Sequence, residues 1–361
     1  EDVTVDVLSS DGFITTTAQT SDLGFFAFDG LPACDPTTIR PSRSDDWIAG
    51  IDIVDIVAIR RDLLGIESFS NPYQYLAGDA NEDGSMDVQD IVSLTRLLLA
   101  LDEELIPESN VPWRFVAGSY DFENPDWPFL DANVPDIISF ANTDPTDINQ
   151  GFIAYKLGDV NADASVSANL QPGLEVAVAR GTVRAGETTN ITLSLSGSNV
   201  AGFDLDLEAI SGTINRVVTT DLPSDAYVFN DESLHIVALE EGSADHSITL
   251  EVTANTASEL TRFFRLNDQK PSLAVDNSGR PRSITLGADA GAMEVVGSSV
   301  FPNPFVNGFT VALEQPLDQS AALELRDVFG RILHTQRINS GSISVEVSGL
   351  DLPAGQYLLR I

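Results

Sequence analysis

The sequence predicts a mostly β, multidomain protein in which β-sandwich modules flank one small α-helical module. Three observations carry this. From residue 173 to 290 apolar residues alternate, as in Ile191, Leu193, Leu195, then Phe203, Leu205, Leu207, then Ile248, Leu250, Val252, with turn signals at the spacing of an antiparallel sandwich. Helical periodicity is confined to residues 41–165, where Ile56, Ile59 and Leu63, and later Ile91, Leu94 and Leu98, each fall on one face. Residues 296–361 alternate again and end on Tyr357, Leu359 and Ile361. The 361 residues are 43% hydrophobic, enough apolar side chain for the cores of two or three domains.

Residues 1–40 read as a partial β-sandwich. Val3, Val5 and Val7 open the chain as a strand already under way, so upstream sequence is expected. Turn signals at Ser9–Gly12 and Thr20–Gly24 separate short strands, the last at Phe25-Phe26-Ala27-Phe28. The Asp22-x-Gly24-x-Phe26-x-Phe28 stretch, followed by Leu31-Pro32, resembles carboxypeptidase-regulatory-like and bacterial surface B-type modules. Residues 41–165 contain an internal repeat: IDIVDIVAIRRDLLGI (51–66) aligns with MDVQDIVSLTRLLLAL (86–101), seven of 16 positions being identical at an offset of 35. Two amphipathic helices, each opened by an Asp, are expected to pack on one another. The stretch 102–157 has no strong periodicity and reads as an aromatic, Pro-rich wrap carrying Trp113, Phe115, Trp127 and Phe129. A sandwich at 173–290 and a smaller β-module at 296–361, short of a closing strand, complete the organisation.

Lys and Arg total 19 against 55 Asp and Glu, a net charge of −36. That repels nucleic acid and anionic lipid, so neither is an expected partner. Two readings of the charge stand: plain solubility, or carboxylates clustered to hold divalent cations. No signal peptide and no apolar run long enough to span a bilayer is present. The single Cys34 excludes an internal disulfide framework; it is either a small buried apolar residue or the partner of an upstream Cys.

The cation reading has a specific carrier. In DANEDGSMDVQD (79–90), Asp79, Asn81, Asp83, Asp87 and Asp90 fall at positions 1, 3, 5, 9 and 12, Gly84 at 6 and Ser85 at 7. This is the EF-hand loop pattern with Asp in place of Glu at position 12. Calcium takes six to eight hard oxygen ligands, and a tightly wound loop turns alternate side chains inward to supply them. Ser85 would give its backbone carbonyl, and Asp90 sits in the first turn of the following helix, where the dipole favours a carboxylate. The earlier copy is thinner: Asp46, Asp52 and Asp55 take positions 3, 9 and 12, while Ser44 and Ile48 hold positions 1 and 5. A third stretch, Asp159, Asn161 and Asp163, repeats the start of such a loop with no helix after it, so it reads as a turn, or as a third and weakest cation loop.

The duplicated loop–helix pair resembles a type I dockerin, a calcium-dependent docking module, closely over 79–101 and more loosely over 44–66. The 113–157 extension is unlike a minimal dockerin and is similar to the dockerin-like modules near the C-termini of large secreted Bacteroidetes proteins. In that family recognition residues lie at the helix starts, matching Ile53, Val54, Val88 and Gln89; three of the four are apolar, and packing within the chain is the competing expectation. Residues 173–290, with Ala185-Gly186-Glu187 ahead of an alternating strand and then Val200–Leu207, resemble a cohesin-like sandwich. The tail carries Val300-Phe301-Pro302-Asn303-Pro304-Phe305, Leu325–Arg331 and Leu350–Tyr357 in order. These look like a type A C-terminal sorting domain of the type IX secretion system, which implies the secretion machinery as a partner and delivery to the medium or outer surface.

Nothing in the sequence reads as a catalytic centre. His235, His246 and His334 lie in or beside expected strands without metal-ligand spacing, and there is no Gly-rich phosphate loop or nucleophile elbow. Two function classes remain: a non-catalytic, calcium-stabilised structural or adhesive surface protein, in a filament for example, or the accessory region of a secreted hydrolase whose catalytic domain lies upstream. Helix pair and sandwich also resemble two halves of one docking system. Contact within a chain would give a rod of stacked modules, and contact with other copies or with separate cohesin- or dockerin-like modules would give an assembly.

Overall fold

The computed structural model describes residues 2–28, 31, 36–45, 47–105, 111–141, 150–163, 170–267, 272–288, 298–302, 305, 307–313, 321–327, 332–350, 352 and 357–360. Cys34 and Asp46 lie outside the described residues. The chain is mostly β, with three α-helices among the described residues: α1 (Ile53–Leu63), α2 (Pro72–Gly78) and α3 (Val88–Leu98). Among those residues no helix is long and apolar enough to cross a membrane.

The sandwich is built on two 22-residue strands, Thr188–Ala209 and Ser233–Ala254, paired antiparallel along their length. The first half of Thr188–Ala209 also pairs with Pro172–Val178, and its second half with Leu273–Asp276. Strand Pro281–Ala288 joins those two partners, so the sheet closes on itself around a core. Its pairing with Pro172–Val178 is parallel, a departure from the all-antiparallel expectation. The alternation seen in the sequence supplies that core: Ile191, Leu193, Phe203, Leu205, Leu207, Ile248, Leu250 and Val252 are all fully buried.

From Val200 to Leu205 the burial is continuous instead of alternating, because both faces of the sheet are covered there. Phe203 and Leu205 face the sandwich core, while Ala201 shares a second apolar cluster with Val237, Leu273 and Val275 of the sandwich and with Ile53, Ile56, Val57, Ile59, Leu94 and Leu98 of the helices. Helical module and sandwich therefore meet in one continuous core, as the reading of contact within the chain anticipates. The buried polar residues on this covered face are paired: His235 Nε2 lies 2.7 Å from Asp204 Oδ1.

α1 and α3 pack as the repeat predicts, and both begin with a capping box. α2 was not expected. Asn71 caps it, and Pro72 sits at its first turn where no N–H is needed. The aromatic wrap closes over it, with Tyr75 edge-on to Phe69 at 5.3 Å and to Trp127 at 6.1 Å. Within the wrap, Trp113–Ala117 and Phe152–Lys156 form an antiparallel pair. At the N-terminal side, Thr4–Leu8 lies between Ile14–Gln19 and Thr37–Ser42, and the last of these also pairs with Ile138–Phe140. The expected boundary at residue 40 thus falls inside a strand, and Phe25–Phe28 has no strand where it is described. Among its described residues, the C-terminal module has two three-stranded sheets around Phe309, Val311, Leu323, Leu325 and Val347.

The shared core should be sensitive where it is dry. Leu94, fully buried between α1 and α3, should lose about 2–5 kcal/mol on substitution by Ala. Val92→Ala on the exposed side of the same helix should stay within about 0.5 kcal/mol. Urea denaturation followed by tryptophan fluorescence checks both.

Candidate metal centre

The sequence 79–90 folds into a wound loop between α2 and α3, in which the carboxylates take the loop's own amides. Asp79 at position 1 is buried and accepts from Asp83 N (3.0 Å) and Gly84 N (3.0 Å). Asn81 Oδ1 accepts from Asp83 N at 2.8 Å. Asp83 Oδ1 accepts from the Ser85 amide and hydroxyl. Asp87 is the N-cap of α3, donating its own N–H to Asp90 Oδ2 at 2.7 Å, so positions 9 and 12 double as a capping box. The fully buried Asp90 also accepts from Asn81 N at 3.2 Å, tying the start of the loop to its end.

The other two acidic stretches, read separately in the sequence, come together in space. Asp52 and Asp55 begin α1 as Asp87 and Asp90 begin α3, with the same capping box. The place that positions 1, 3 and 5 hold in the contiguous loop is taken by Asp159, Asn161 and Asp163. Two hydrogen bonds correspond: Asn161 N donates to Asp55 Oδ1 at 3.3 Å, as Asn81 N does to Asp90, and Asp163 N donates to Asn161 Oδ1 at 2.8 Å, as Asp83 N does to Asn81; at position 1 Asp159 Oδ1 accepts from Ala162 N at 2.7 Å, whereas Asp79 accepts from Asp83 N and Gly84 N. The residue at position 4 is left-handed in both, Glu82 at φ 53° and Ala162 at φ 55°. The preceding glycines, Gly78 and Gly158, each press on the core: a Cβ would come within 2.5 Å of Met86 Sδ at the first and 2.6 Å of Leu94 Cδ2 at the second. Asp55 is completely buried and accepts a further bond from Val160 N at 3.0 Å. Ser44 and Ile48 therefore need not supply ligands. The sequence signal that marks this arrangement is the repeated hexapeptide pair GDANED (78–83) and GDVNAD (158–163).

Electrostatically both loops are crowded. Burial raises Asp79 to about 7, and the neighbouring carboxylates of Asp90 and Asp83 push the same way against the amides of Gly84 and Asp83. Burial also raises Asp90. In the split loop burial lifts Asp55 well above the carboxylate range, with Asp52 and Asp159 adding to it. Asp52 and Asp159 both rise to about 6, again mainly through burial, and Lys156 draws Asp159 partly back. Lys156 is itself buried, its Nζ 2.5 Å from Ala49 O and 3.4 Å from Asp45 Oδ1.

The donors are all oxygens, the chemistry of a hard divalent cation such as Ca²⁺. A small residue is needed at the mouth of the split loop, since a Cβ on Gly50 would stand 2.9 Å from Asp159 Oδ2. Among the described residues no three His, Cys, Asp or Glu side chains already stand gathered as a metal-ligand set; the carboxylates are engaged with loop amides. Of the helix-start residues, Ile53 is buried and Val54 packs on the shared core, whereas Val88 and Gln89 are exposed. The histidines are elsewhere: His246 pairs with Glu240 at 2.8 Å, and His235 with Asp204.

Residues 299–361 match the secretion system C-terminal sorting domain. The chain is therefore exported to the cell surface or extracellular space. No curated protein matches the sequence. Among solved structures, a cohesin of scaffoldin B from Acetivibrio cellulolyticus, solved in complex with a dockerin, is 14% identical, over 32% of this chain and 96% of that one (TM-score 0.23). A chain of a type I cohesin–dockerin complex from Clostridium thermocellum is 17% identical, over 34% and 96% (TM-score 0.23). The pilus backbone protein of Streptococcus pneumoniae is 14% identical, over 51% and 49% (TM-score 0.17).

The raised carboxylates set the sign of the pH dependence in chelator. Asp52, Asp79 and Asp159 bind protons more tightly folded than at the ordinary 3.8 of the unfolded chain. Their stabilising contribution is full below about pH 4 and is lost as pH rises through 6 to 7. The thermal midpoint of chelated protein should therefore be higher at pH 5 than at pH 8. Scanning calorimetry at the two pH values, with and without millimolar calcium, checks this; calcium should flatten the difference.

Proposed function

We propose that this chain is a non-catalytic structural or adhesive surface protein in which residues 47–163 form a calcium-held connector docked on its own sandwich. The observation that carries the reading is the split loop. Two segments of the chain share with the contiguous loop at 79–90 the amide bonds of the position-3 and position-5 residues and the capping box of the following helix. Chance acidic clustering does not explain paired amide contacts, a shared left-handed residue and a shared capping box. Ligands are Asp79, Asn81, Asp83, Asp87, Asp90 and the Ser85 carbonyl in one site, and Asp52, Asp55, Asp159, Asn161 and Asp163 in the other. The connector's apolar surface is covered by the sandwich of the same chain, which favours a stacked rod over a polymer made by exchanging these two modules.

Calorimetric titration of chelator-stripped full-length chain should reveal two calcium sites. Saturation at 100-fold over Kd should stabilise the module by about 2.7 kcal/mol per site. Asp90→Ala should remove one site and Asp55→Ala the other. Absence of calcium heat in the stripped wild-type chain would end the reading. Because Asp55 serves three backbone N–H groups, those of Asp52, Val160 and Asn161, its loss should be at least as damaging as that of Asp90, about 3 kcal/mol or more.

The sorting assignment has its own test. Residues 296–361 fused to a reporter should carry it to the medium or cell surface in a host with the secretion system. Retention of the reporter in the periplasm would contradict the assignment.

A further inference from the structure

Between the aromatic wrap, the start of α2 and the segment 159–163 lies a cleft of about 510 Å³, within the roughly 300–1,000 Å³ of small-molecule sites. Ala49, Gly50, Ala154 and Ala162 line it, small residues that leave the space open. One wall is aromatic. Tyr73 and Tyr155 line the cleft with ring centroids 6.4 Å apart. Phe122 meets Tyr73 edge-on at 5.6 Å, and Tyr120 meets Phe122 at 5.0 Å, so rings outside the lining brace the wall. Trp113 lines the cleft as well. The Arg43 guanidinium lies 4.4 Å over its ring, so one face of the indole is already taken.

What the cleft leaves unpaired is polar. Trp113 Nε1 and Asn161 Nδ2 are buried donors without a hydrogen-bond partner. Asp45 Oδ1 is a buried acceptor, 3.4 Å from Lys156 Nζ but not hydrogen-bonded to it. All three residues line the cleft. Buried polar groups in folded proteins are almost always satisfied, so three orphans around one cleft mark where a partner belongs. The charges select its kind. Asp45 pairs with Arg43 at 3.0 Å and stands beside Lys156, so neither cation is left to recruit an anion. The net charge of −36 opposes one too. An ammonium ligand carries only donors and cannot pair with Trp113 Nε1 or Asn161 Nδ2. A wholly apolar ligand would leave all three orphans unpaired. Hydroxyls both donate and accept and meet all three. The positively polarised C–H face of a sugar ring also suits the negative face of a tyrosine.

We propose that this cleft binds a neutral saccharide, stacked on the Tyr73 and Tyr155 wall and hydrogen-bonded by Trp113 Nε1, Asn161 Nδ2 and Asp45 Oδ1. Binding there does not depend on the calcium sites. Asn161 gives its Oδ1 to the Asp163 amide and keeps its Nδ2 for the cleft, and neither tyrosine nor Trp113 belongs to an acidic loop.

The full-length chain, kept in millimolar calcium, is screened on an immobilised array of neutral, acidic and amino glycans. The tightest neutral glycan is then titrated in solution into wild type, Trp113→Phe, Tyr73→Ala and Trp127→Phe. Wild type should bind at least one neutral glycan, and no acidic or amino glycan more tightly. Trp113→Phe keeps a ring under Arg43 and loses the N–H, so it should weaken binding about tenfold, the effect of removing one hydrogen bond and leaving its partner unpaired. Tyr73→Ala should weaken it at least as much. Trp127→Phe, whose ring packs on Tyr75 and Phe129 outside the cleft lining, should leave it unchanged. One readout needs no folded variant: of the three tryptophan indole N–H signals, that of Trp113 should shift in the proton spectrum when the sugar is added to wild type. Silence of every neutral glycan, tighter binding of an acidic or amino one, an unmoved Trp113 signal, or an equal loss in Trp113→Phe and Trp127→Phe overturns the proposal.

Discussion

A carboxylate with no access to solvent must be surrounded by donors or give up its charge, and Asp55 is in that position. Its partners are its own helix start and, 105 and 106 residues along, the amides of Val160 and Asn161. Satisfying one buried side chain thus brings the end of the connector back to its beginning. The consequences spread outward from that closure. It sets α1 against α3, holds α2 between the loops through the bond from Gln74 Nε2 to Val160 O, and leaves the far side of α1 to the sandwich. Apolar burial supplies the bulk of the stabilisation there, but burial is not directional. The amide contacts to Asp55 fix which segments meet.

How far this could be read from the sequence depends on the range of the interaction. Period and caps are local, so α1 and α3 were visible in their apolar spacing and in the Asp that opens each. The contiguous loop was visible because all its polar positions fall within twelve residues. The split loop was not, although both halves were noticed. A window of twelve residues assigned positions 1, 3 and 5 to Ser44, Asp46 and Ile48, the residues that happen to precede Asp52, and left Asp159, Asn161 and Asp163 without a helix. Recognising GDVNAD as the twin of GDANED, and asking which orphaned helix start it could serve, would have found the pair.

Other misses have similar causes. Asn71-Pro72 is a standard helix entry, but seven residues carry too little periodicity to display a helix. Thr37–Ser42 runs across the module boundary expected at residue 40; its strand character comes from being held between Thr4–Leu8 and Ile138–Phe140. The continuous burial of Val200–Leu205 could not be seen either, because Asp204 interrupts the apolar run and looks solvent-facing. Its partner His235 sits on the neighbouring strand, and the pair is buried because another module lies on it. In each case the deciding contact is with chain far away.

Splitting a loop across the chain has an entropic consequence. Closing about 105 residues instead of twelve costs roughly 2 kcal/mol more, since the penalty grows only as the logarithm of length. That is less than the contribution of one fully buried Leu in a close-packed core. The shared cluster holds several, Leu94 and Leu98 among them, so the long closure is tolerated once the apolar core has formed. The order of dependence follows. The core can form from α1, α3 and the sandwich strands alone, but it does not say where residues 159–163 should go; the loop amides and carboxylates do. The arrangement places a polar, charge-dense lock at the point where the connector's two ends meet, so the pH, which governs carboxylate charge, acts on the chain at the junction that brings them together.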